Sequence, residues 1–444
     1  MKSYKQYFKD KKITLMGLGL LGRGVGDACF LAEQGARVTV TDLKTEEQLI
    51  ESVNKLKKYR NINFVLGEHR LKDFIGVDLI IKGAGVPLDS LYIKEAVKNN
   101  VPVRMSTALF AELTPATVVG ITGTKGKTTV SSILYHILKE SDRNVFLGGN
   151  ARLLSTLAHL PKSSKDEVAV LELDSWQLQG FAEAEISPSF SVFTNFSQDH
   201  LNYYKNDMSL YLKDKASIFL NQKDTELLII GEQAYSKIMT LYGDRVKSKV
   251  KKVSVDDLPK DWEISIPGEH NRYNSALAYS MASYLGVSSD VSKKALASFP
   301  GVSGRLDYRG TFEGRKFYND NNATTPEATV SAIDALKKEG RIILIIGGAD
   351  KNLSLDNLKR AVEGDVFKVL LLPGSGSDKL KEECKQTKLE LTDSLKRAVE
   401  RAYSVSDKGD IILFSPAFAS FSQFNNEYER EKVFLKEIKE RFSI

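Results

Sequence analysis

Residues 122–129 read TGTKGKTT and lie between the apolar run Val118-Val119-Gly120-Ile121 and a helical pattern over 130–139. Glycines with a Lys-Thr pair at a strand-to-helix turn make a phosphate cradle. Backbone N–H groups and the helix N-terminus face the anion, Lys127 can neutralise β- and γ-phosphate charge, and the Thr128 hydroxyl can ligate Mg²⁺. Two lysines without an acid at a helix N-terminus oppose the helix dipole, a pattern that makes sense when an anion fills the turn. The alternative is an ordinary glycine turn capped by threonines. The spacing is a variant: five residues before Gly126, where a phosphate loop usually carries glycine, this chain has Ile121.

Strand and helix patterns alternate along the rest of the chain, which predicts an α/β protein with mainly parallel sheets. With 444 residues, two or three domains are expected, because single cores rarely grow past about 250–300 residues. The first unit carries expected strands at 13–16, 37–41 and 78–81. A polar hinge, Leu113-Thr114-Pro115, leads into a second unit with strands at 168–173, 191–195 and 226–230 and helices at 209–220 and 274–285. Phe299-Pro300-Gly301 with Gly304 reads as a linker. The third unit has strands near 316–319, 341–346, 368–372 and 410–414 and closes on a basic amphipathic helix over 427–441. Thr325-Pro326 is a helix start, with an N-cap hydroxyl and proline at the first helical position. The expected domains are residues 1–112, 113–300 and 301–444.

Composition narrows the function classes. The net charge of +6 comes from 63 basic against 57 acidic residues; the excess is small and dispersed, so nucleic-acid binding gains no support. The lysine-rich run 247–252 reads as a solvated face. Cys29 and Cys384 are far apart, with no disulfide framework or metal-spaced cluster, which suits a reducing cytoplasm. The polar N-terminus lacks a signal-peptide core, and the longest apolar runs, 342–346 and 369–372, are too short to span a bilayer. The expectation is a cytoplasmic protein without membrane or nucleic-acid partners, monomeric by default.

Other constellations sit at strand ends. Gly17-Leu18-Gly19-Leu20-Leu21-Gly22 is a complete GxGxxG between a strand and a helix, and Asp42 ends the next strand. That dinucleotide fingerprint places an acid for a ribose hydroxyl. It suits an NAD-dependent dehydrogenase, but also any ribose-bearing diphosphate, including a UDP-sugar, or a tight turn with no ligand. Glu172 ends the apolar strand in VAVLELDSW, where a carboxylate is costly unless paired or bound to a cation. Asp199-His200 follows the next strand in the corresponding position. Lys215, within YLKDKASIF, reads from spacing alone as a surface lysine. Arg305, the cluster YNDNNATTP, residues 347–351 (GGADK) and residues 415–420 (SPAFAS) are strand-end loops able to close over a nucleotide, or ordinary turns.

Taken in order, TGTKGKTT without its leading glycine, GGN at 148–150, LELDSWQL at 171–178, TNFSQDHLNYY at 194–204, GEHNRYNSALA at 268–278, GVSGRLDY at 301–308, NDNNATTPEAT, IIGGADK and SPAFASFSQF resemble the Mur ligases, the amide-forming ligases of peptidoglycan synthesis. The resemblance covers essentially the whole chain, and the N-terminal glycine-rich domain separates it from the folylpolyglutamate branch. It implies a Rossmann-like UDP-binding domain, a central P-loop ATPase-type domain and a Rossmann-like C-terminal domain. It also implies a cytoplasmic ATP-dependent ligase that joins D-glutamate to UDP-N-acetylmuramoyl-L-alanine through an acyl phosphate.

On the family's pattern, Leu20, Leu21, Asp42, Leu43, Lys44 and Gly85 would contact the uridine diphosphate end, and Asn150 and His200 the muramoyl-alanine part. Thr124, Lys125, Gly126, Lys127, Thr128 and Thr129 would hold ATP phosphates, while Asn271, Arg305 and Asp320 would reach its base and ribose. Thr128 and Glu172 would bind Mg²⁺, with His200 at a second ion. Lys215 matches the family's carbamylated lysine, whose anionic carbamate ligates metal. Lys127, Glu172, His200 and Lys215 thus form the expected catalytic set, and Thr324, Lys351 and Ser420 would receive the glutamate carboxylates. Three positions depart from the pattern: Asn322 replaces the lysine of DSKAT, Asp174-Ser175-Trp176 stands where the family has SSF, and Glu427, next to Tyr428, replaces a phenylalanine. The first leaves L-glutamate or another amino acid open as the incoming substrate.

Overall fold

The computed structural model describes residues 4–20, 22–87, 89–151, 154–200, 203–384, 388–424 and 426–442. It is built on three sheets. The first contains β1 (Lys12–Met16), β2 (Arg37–Asp42), β3 (Ile62–Leu66), β4 (Leu79–Lys82) and β5 (Val103–Arg104). Their order is β3-β2-β1-β4-β5, all parallel. The second contains β6 (Thr117–Thr122), β7 (Val145–Gly149), β8 (Val168–Glu172), β9 (Phe190–Phe193), β10 (Leu227–Gly231) and β11 (Lys249–Val253). Its order is β11-β10-β9-β6-β8-β7, again all parallel. Strands β6, β8 and β10 are buried along nearly their whole length, as parallel strands covered on both faces require.

Both sheets reverse their order at the strand that feeds a glycine loop. β1 lies between β2 and β4, and β6 between β9 and β8. In open parallel sheets such a switch point opens a crevice at the strand C-termini, where ligands bind. The lysine-rich run expected as a solvated face is in fact the edge strand β11. Its lysines stay mostly exposed, and lysine on an edge strand hinders pairing with another chain.

The third sheet contains β12 (Asp307–Phe312), β13 (Arg315–Asn319), β14 (Ile342–Ile346), β15 (Val366–Leu371), β16 (Leu389–Leu391) and β17 (Ile411–Phe414). The order is β12-β13-β17-β14-β15-β16, parallel apart from the β12–β13 hairpin. The unbroken run IILII in β14 divides between two cores. Ile342, Leu344 and Ile346 join one, and Ile343 and Ile345 the other, because successive side chains point to opposite faces. Proline starts the helix Pro326–Leu336 as expected, but the Thr325 hydroxyl makes no capping bond and, among the described residues, is buried without a partner.

The chain divides into two compact units, Met1–Asp261 with Asn274–Ala295, and Trp262–Tyr273 with Leu296–Ile444. The first holds the first two sheets, with one apolar core reaching from Ile13 and Val38 to Val118 and Leu228. The second holds the third sheet. Residues 262–273 join it partly through Ser265, whose N–H donates to the Leu296 carbonyl. Among the described residues no helix is long and apolar enough to cross a membrane.

Candidate active site

β6 ends at Thr122, and the helix Lys127–Glu140 begins just past the loop. Gly126 is its N-cap, at φ 82°. A Cβ there would sit 2.4 Å from Asn274 Oδ1, and one on Gly123 would sit 1.9 Å from Thr194 Oγ1, so both positions demand glycine. The chain after β9 fixes the loop from outside. Thr124 N–H donates to the Asn195 carbonyl at 2.9 Å, and Lys125 N–H to Asn195 Oδ1 at 2.8 Å. Thr194 Oγ1 donates to the Lys125 carbonyl at 2.6 Å. Lys125 is exposed and pairs with Asp199 Oδ2 at 3.3 Å, Thr128 is half-buried and Thr129 buried. Lys127 Nζ curls back onto the carbonyls of Gly123 (3.0 Å) and Thr124 (2.9 Å).

Lys215 overturns its reading as a surface lysine. In the helix Met208–Ala216 the buried face carries Tyr211, Leu212, Lys215 and Ala216, and Lys215 is only 1% exposed. The four-residue step from Tyr211 to Lys215, one helical turn, was the available signal. Lys215 Nζ donates to the Gly123 carbonyl at 2.8 Å, so two amino groups converge on one oxygen. Burial above all, then the charge of Lys127, holds the Lys215 amine well below the usual lysine pKa, against the opposing pull of Asp174, Asp199 and Asp214.

Glu172 ends β8 opposite Ile121 of β6. It is buried, and among the described residues its Oε2 has no hydrogen-bond partner. An orphan carboxylate oxygen of this kind is expensive to keep and fits a site for a cation. Among the described residues no three His, Cys, Asp or Glu side chains converge as a metal cage.

His200 adopts a left-handed backbone, φ 53°, and its N–H donates to Asp199 Oδ1 at 2.9 Å. His200 is exposed as a residue, and its ring packs against Trp176 and Tyr211. Desolvation lowers its pKa, Asp199 opposes that, and Lys127 and Lys215 add to the lowering. Asn150 lies beside Glu172, with its N–H donating to the Glu172 carbonyl at 2.8 Å. Arg23, from the first sheet's layer, reaches the Asn150 carbonyl at 3.3 Å.

The first glycine loop ends the same way, with Gly22 at φ 87° capping the helix Arg23–Glu33. Asp42 is buried and already engaged: Oδ2 accepts from Leu18 N–H at 2.9 Å and Gly19 N–H at 3.0 Å, and Oδ1 from Lys44 N–H at 2.9 Å. The acid expected to meet a ribose thus also pins the loop. Leu20 and Leu43 stand 62% and 66% exposed beside it, while Leu21 lies outside the described residues. Among the described residues nothing lies within 4 Å of a hypothetical Cβ on Gly85. Sequence reasoning missed Lys82, buried at the end of β4, whose Nζ donates to the Val86 carbonyl at 3.1 Å and anchors the loop that carries Gly85.

In the second unit, Asp320 follows β13. Its Oδ1 accepts from Leu306 N–H at 2.9 Å and its Oδ2 from the Ser415 hydroxyl at 2.7 Å. Burial pushes its pKa up to about 7, against those bonds and the charge of Arg305. Lys351 Nζ donates to Thr324 Oγ1 at 3.0 Å. Ala349, on the loop of Lys351, bridges Ala419, next to Ser420, so Thr324, Lys351 and Ser420 lie on loops tied together. Asn271 donates its side-chain amide to the Pro267 carbonyl at 2.7 Å. Two further features escaped the sequence. Asp174, at a departing position, forms a capping box with Gln177, and Arg430 is a fully buried cation.

Residues 11–105 match the family described as Mur ligase MurD-like, N-terminal domain. Residues 121–263 match the Mur ligase middle domain, and residues 304–418 the Mur ligase, glutamate ligase domain. The UDP-N-acetylmuramoylalanine--D-glutamate ligase of Borreliella burgdorferi is 36% identical over 448 residues, covering 95% of this chain and 96% of that protein. The protein of the same name from Roseiflexus sp. is 33% identical, covering 96% and 97%. Among solved structures, UDP-N-acetylmuramate-alanine ligase MurC from Thermotoga maritima superposes with a TM-score of 0.63 at 19% identity, over 97% of this chain and 100% of that one. MurF ligase from Thermotoga maritima in complex with ADP gives 0.60 at 18% identity, over 91% and 95%. These two structural likenesses speak to fold.

Proposed function

The chain belongs to the Mur ligase family, and from that membership together with the strand-end geometry we propose that it joins D-glutamate to UDP-N-acetylmuramoyl-L-alanine at the expense of ATP, in the cytoplasm, during peptidoglycan precursor synthesis. The observation that carries the reading is the convergence of Lys127 and Lys215 on the Gly123 carbonyl. Lys127 at the helix N-terminus, with the Lys215 amine behind the same carbonyl, makes a polyphosphate site.

In the first step an oxygen of the alanyl carboxylate attacks the γ-phosphorus of ATP. The bond from that phosphorus to the β–γ bridging oxygen breaks, and ADP leaves. Lys127 gives up its contacts with the loop carbonyls to meet the developing phosphate charge, while the loop amides and Thr129 keep the phosphates in line. In the second step the glutamate nitrogen attacks the acyl carbon. The C–N bond forms, the nitrogen loses its proton, and phosphate departs with the carboxylate oxygen that made the attack. Thr324, Lys351 and Ser420 are assigned to the glutamate carboxylates, and Asn271, Arg305 and Asp320 to the base and ribose of ATP. Leu20, Leu43, Lys44, Asp42 and Gly85 are assigned to the uridine diphosphate, and Asn150 to the muramoyl part.

The orphan Oε2 of Glu172 supports Mg²⁺ as the partner of the phosphates, with Thr128, Glu172, His200 and Lys215 as the residues that would hold two ions. Bound Mg²⁺ would supply charge neutralisation between phosphate oxygens. Lys215 would take part as its carbamate. Its depressed pKa favours the neutral amine, which can add to the carbon of CO₂ and release a proton. The modification replaces a neutral amine facing Lys127 with an anion.

Phosphate release measured with UDP-N-acetylmuramoyl-L-alanine and ATP, with D- and L-glutamate supplied separately, tests the reading. Release with D-glutamate is expected. Release with L-glutamate alone would overturn the stereochemical assignment, and release with neither would overturn the substrate assignment.

A further inference from the structure

Arg430 lies in the first turns of the helix Glu427–Phe442 and is 1% exposed, among the largest fully buried side chains. Its guanidinium is spent on two loops. Nε donates to Asn321 Oδ1 at 2.8 Å, Nη2 to the Asn321 carbonyl at 2.8 Å, and Nη1 to the Phe418 carbonyl at 3.2 Å. Among the described residues it makes no ion pair. A buried cation held by neutral acceptors alone is costly, and burial lowers its pKa to about 10.

The two loops leave adjacent parallel strands, β13 and β17, whose last paired residues are Asn319 and Phe414. Beyond that register the ladder ends: Asp320 N–H still reaches the Phe414 carbonyl, and Ser415 the Asp320 carboxyl. Further out, one segment runs to Thr324 and the other to Ser420. Arg430 spans the gap between them at Asn321 and Phe418. The neighbouring Glu431 extends the tie, its Oε1 accepting from Asn319 Nδ2 and Ser303 Oγ, both at 2.8 Å. Only a planar fork with several donors in fixed directions can hold two backbone segments this way; a lysine ammonium cannot span both with the same geometry.

We infer that Arg430 is a positioning residue for the amino-acid substrate, locking the Thr324 and Ser420 loops into one site. The inference rests on the assignment of those two residues to the glutamate carboxylates. It also gives the site a fixed positive charge on a chain in which Asn322 has replaced a lysine, in keeping with an anionic substrate.

Steady-state kinetics of Arg430→Gln, read as three separate KM values beside the thermal midpoint, test this. Because a small misplacement of binding groups has a large kinetic cost, KM for glutamate should rise about tenfold or more while KM for ATP and for the UDP-substrate stay within about twofold. Arg430→Lys should recover only part of the loss. All three KM values rising together, or glutamate KM unchanged, would overturn the role of Arg430. Should Arg430→Gln fail to fold, Asn321→Ala removes one acceptor and leaves the charge; a several-fold rise in glutamate KM alone is expected, and no rise overturns the inference. Wild-type enzyme that releases no phosphate with glutamate would overturn the substrate assignment beneath it, and this inference with it. Wild-type turnover with unaltered variants overturns Arg430 alone.

Discussion

The two glycine loops of the first unit have nearly the same backbone and opposite electrostatics. Each follows the strand at its sheet's switch point and ends on a left-handed glycine that caps the next helix, Gly22 at φ 87°, ψ −13° and Gly126 at φ 82°, ψ −11°. In the first, an internal carboxylate, Asp42, takes the amides of Leu18 and Gly19. In the second, the amides of Thr124 and Lys125 are taken by a neutral residue, Asn195, and the Lys127 and Lys215 amino groups crowd one carbonyl. A cradle neutralised from within suits a ligand to be held in place. A cradle whose loop amides meet a neutral side chain, with Lys127 at its helix N-terminus, suits phosphates whose charge shifts during reaction. Backbone geometry alone does not separate these cases; the side chains behind the loop do.

Removing the charges of the second loop should break the comparison most severely. Lys127→Ala is expected to slow phosphate release by about 10²–10³-fold, the scale of losing a preorganised charge-stabilising donor. Lys215→Ala should fall as far, with partial recovery when acetate or another short carboxylic acid is added; a wild-type rate without rescue would refute the carbamate. Glu172→Gln should cost about 10²-fold in rate without lowering the thermal midpoint of the ligand-free protein, since it removes a buried, unpartnered carboxylate. A fall in both would make Glu172 structural.

Asp42→Ala sharpens the contrast from the other side. Losing a buried carboxylate that accepts three amides is worth roughly 1.5–3 kcal/mol per charged hydrogen bond, so KM for the UDP-substrate should rise about tenfold or more with little change in KM for ATP. Equal rises would erase the distinction between the loops. The smallest effect concerns pH in the second unit. Burial holds the folded pKa of Asp320 at about 7, above the ordinary carboxylate value of 3.8, so the folded state binds the extra proton between those values. Stability therefore falls as pH rises through that window. Asp320→Asn should flatten the decline, seen as a shift of a few degrees (about 2–4 °C) in the difference between midpoints at pH 5 and pH 7.5.

Much of this was legible in the sequence where local pattern coincides with function. The runs of β1, β4, β8 and β14 identify buried parallel strands, and the glycines of both loops mark turns that only glycine can make. Short or polar edge strands, β3, β5, β7, β11 and β16, were not legible, because pairing to a neighbour rather than their own periodicity makes them strands. Lys215 shows the same limit at the site. Its charge suggested solvent, and only its place one turn from Tyr211 betrayed the buried face. Asp42's bonds to Leu18 and Gly19 and Arg430's to Asn321 and Phe418 are long-range contacts that no spacing encodes.

The most direct test of the proposed chemistry follows the oxygens. UDP-N-acetylmuramoyl-L-alanine labelled with ¹⁸O in both alanyl carboxylate oxygens, turned over with ATP and D-glutamate, should release phosphate carrying one ¹⁸O and leave the other in the new amide. Mass analysis that finds unlabelled phosphate would contradict attack by the carboxylate on ATP at the TGTKGKTT loop.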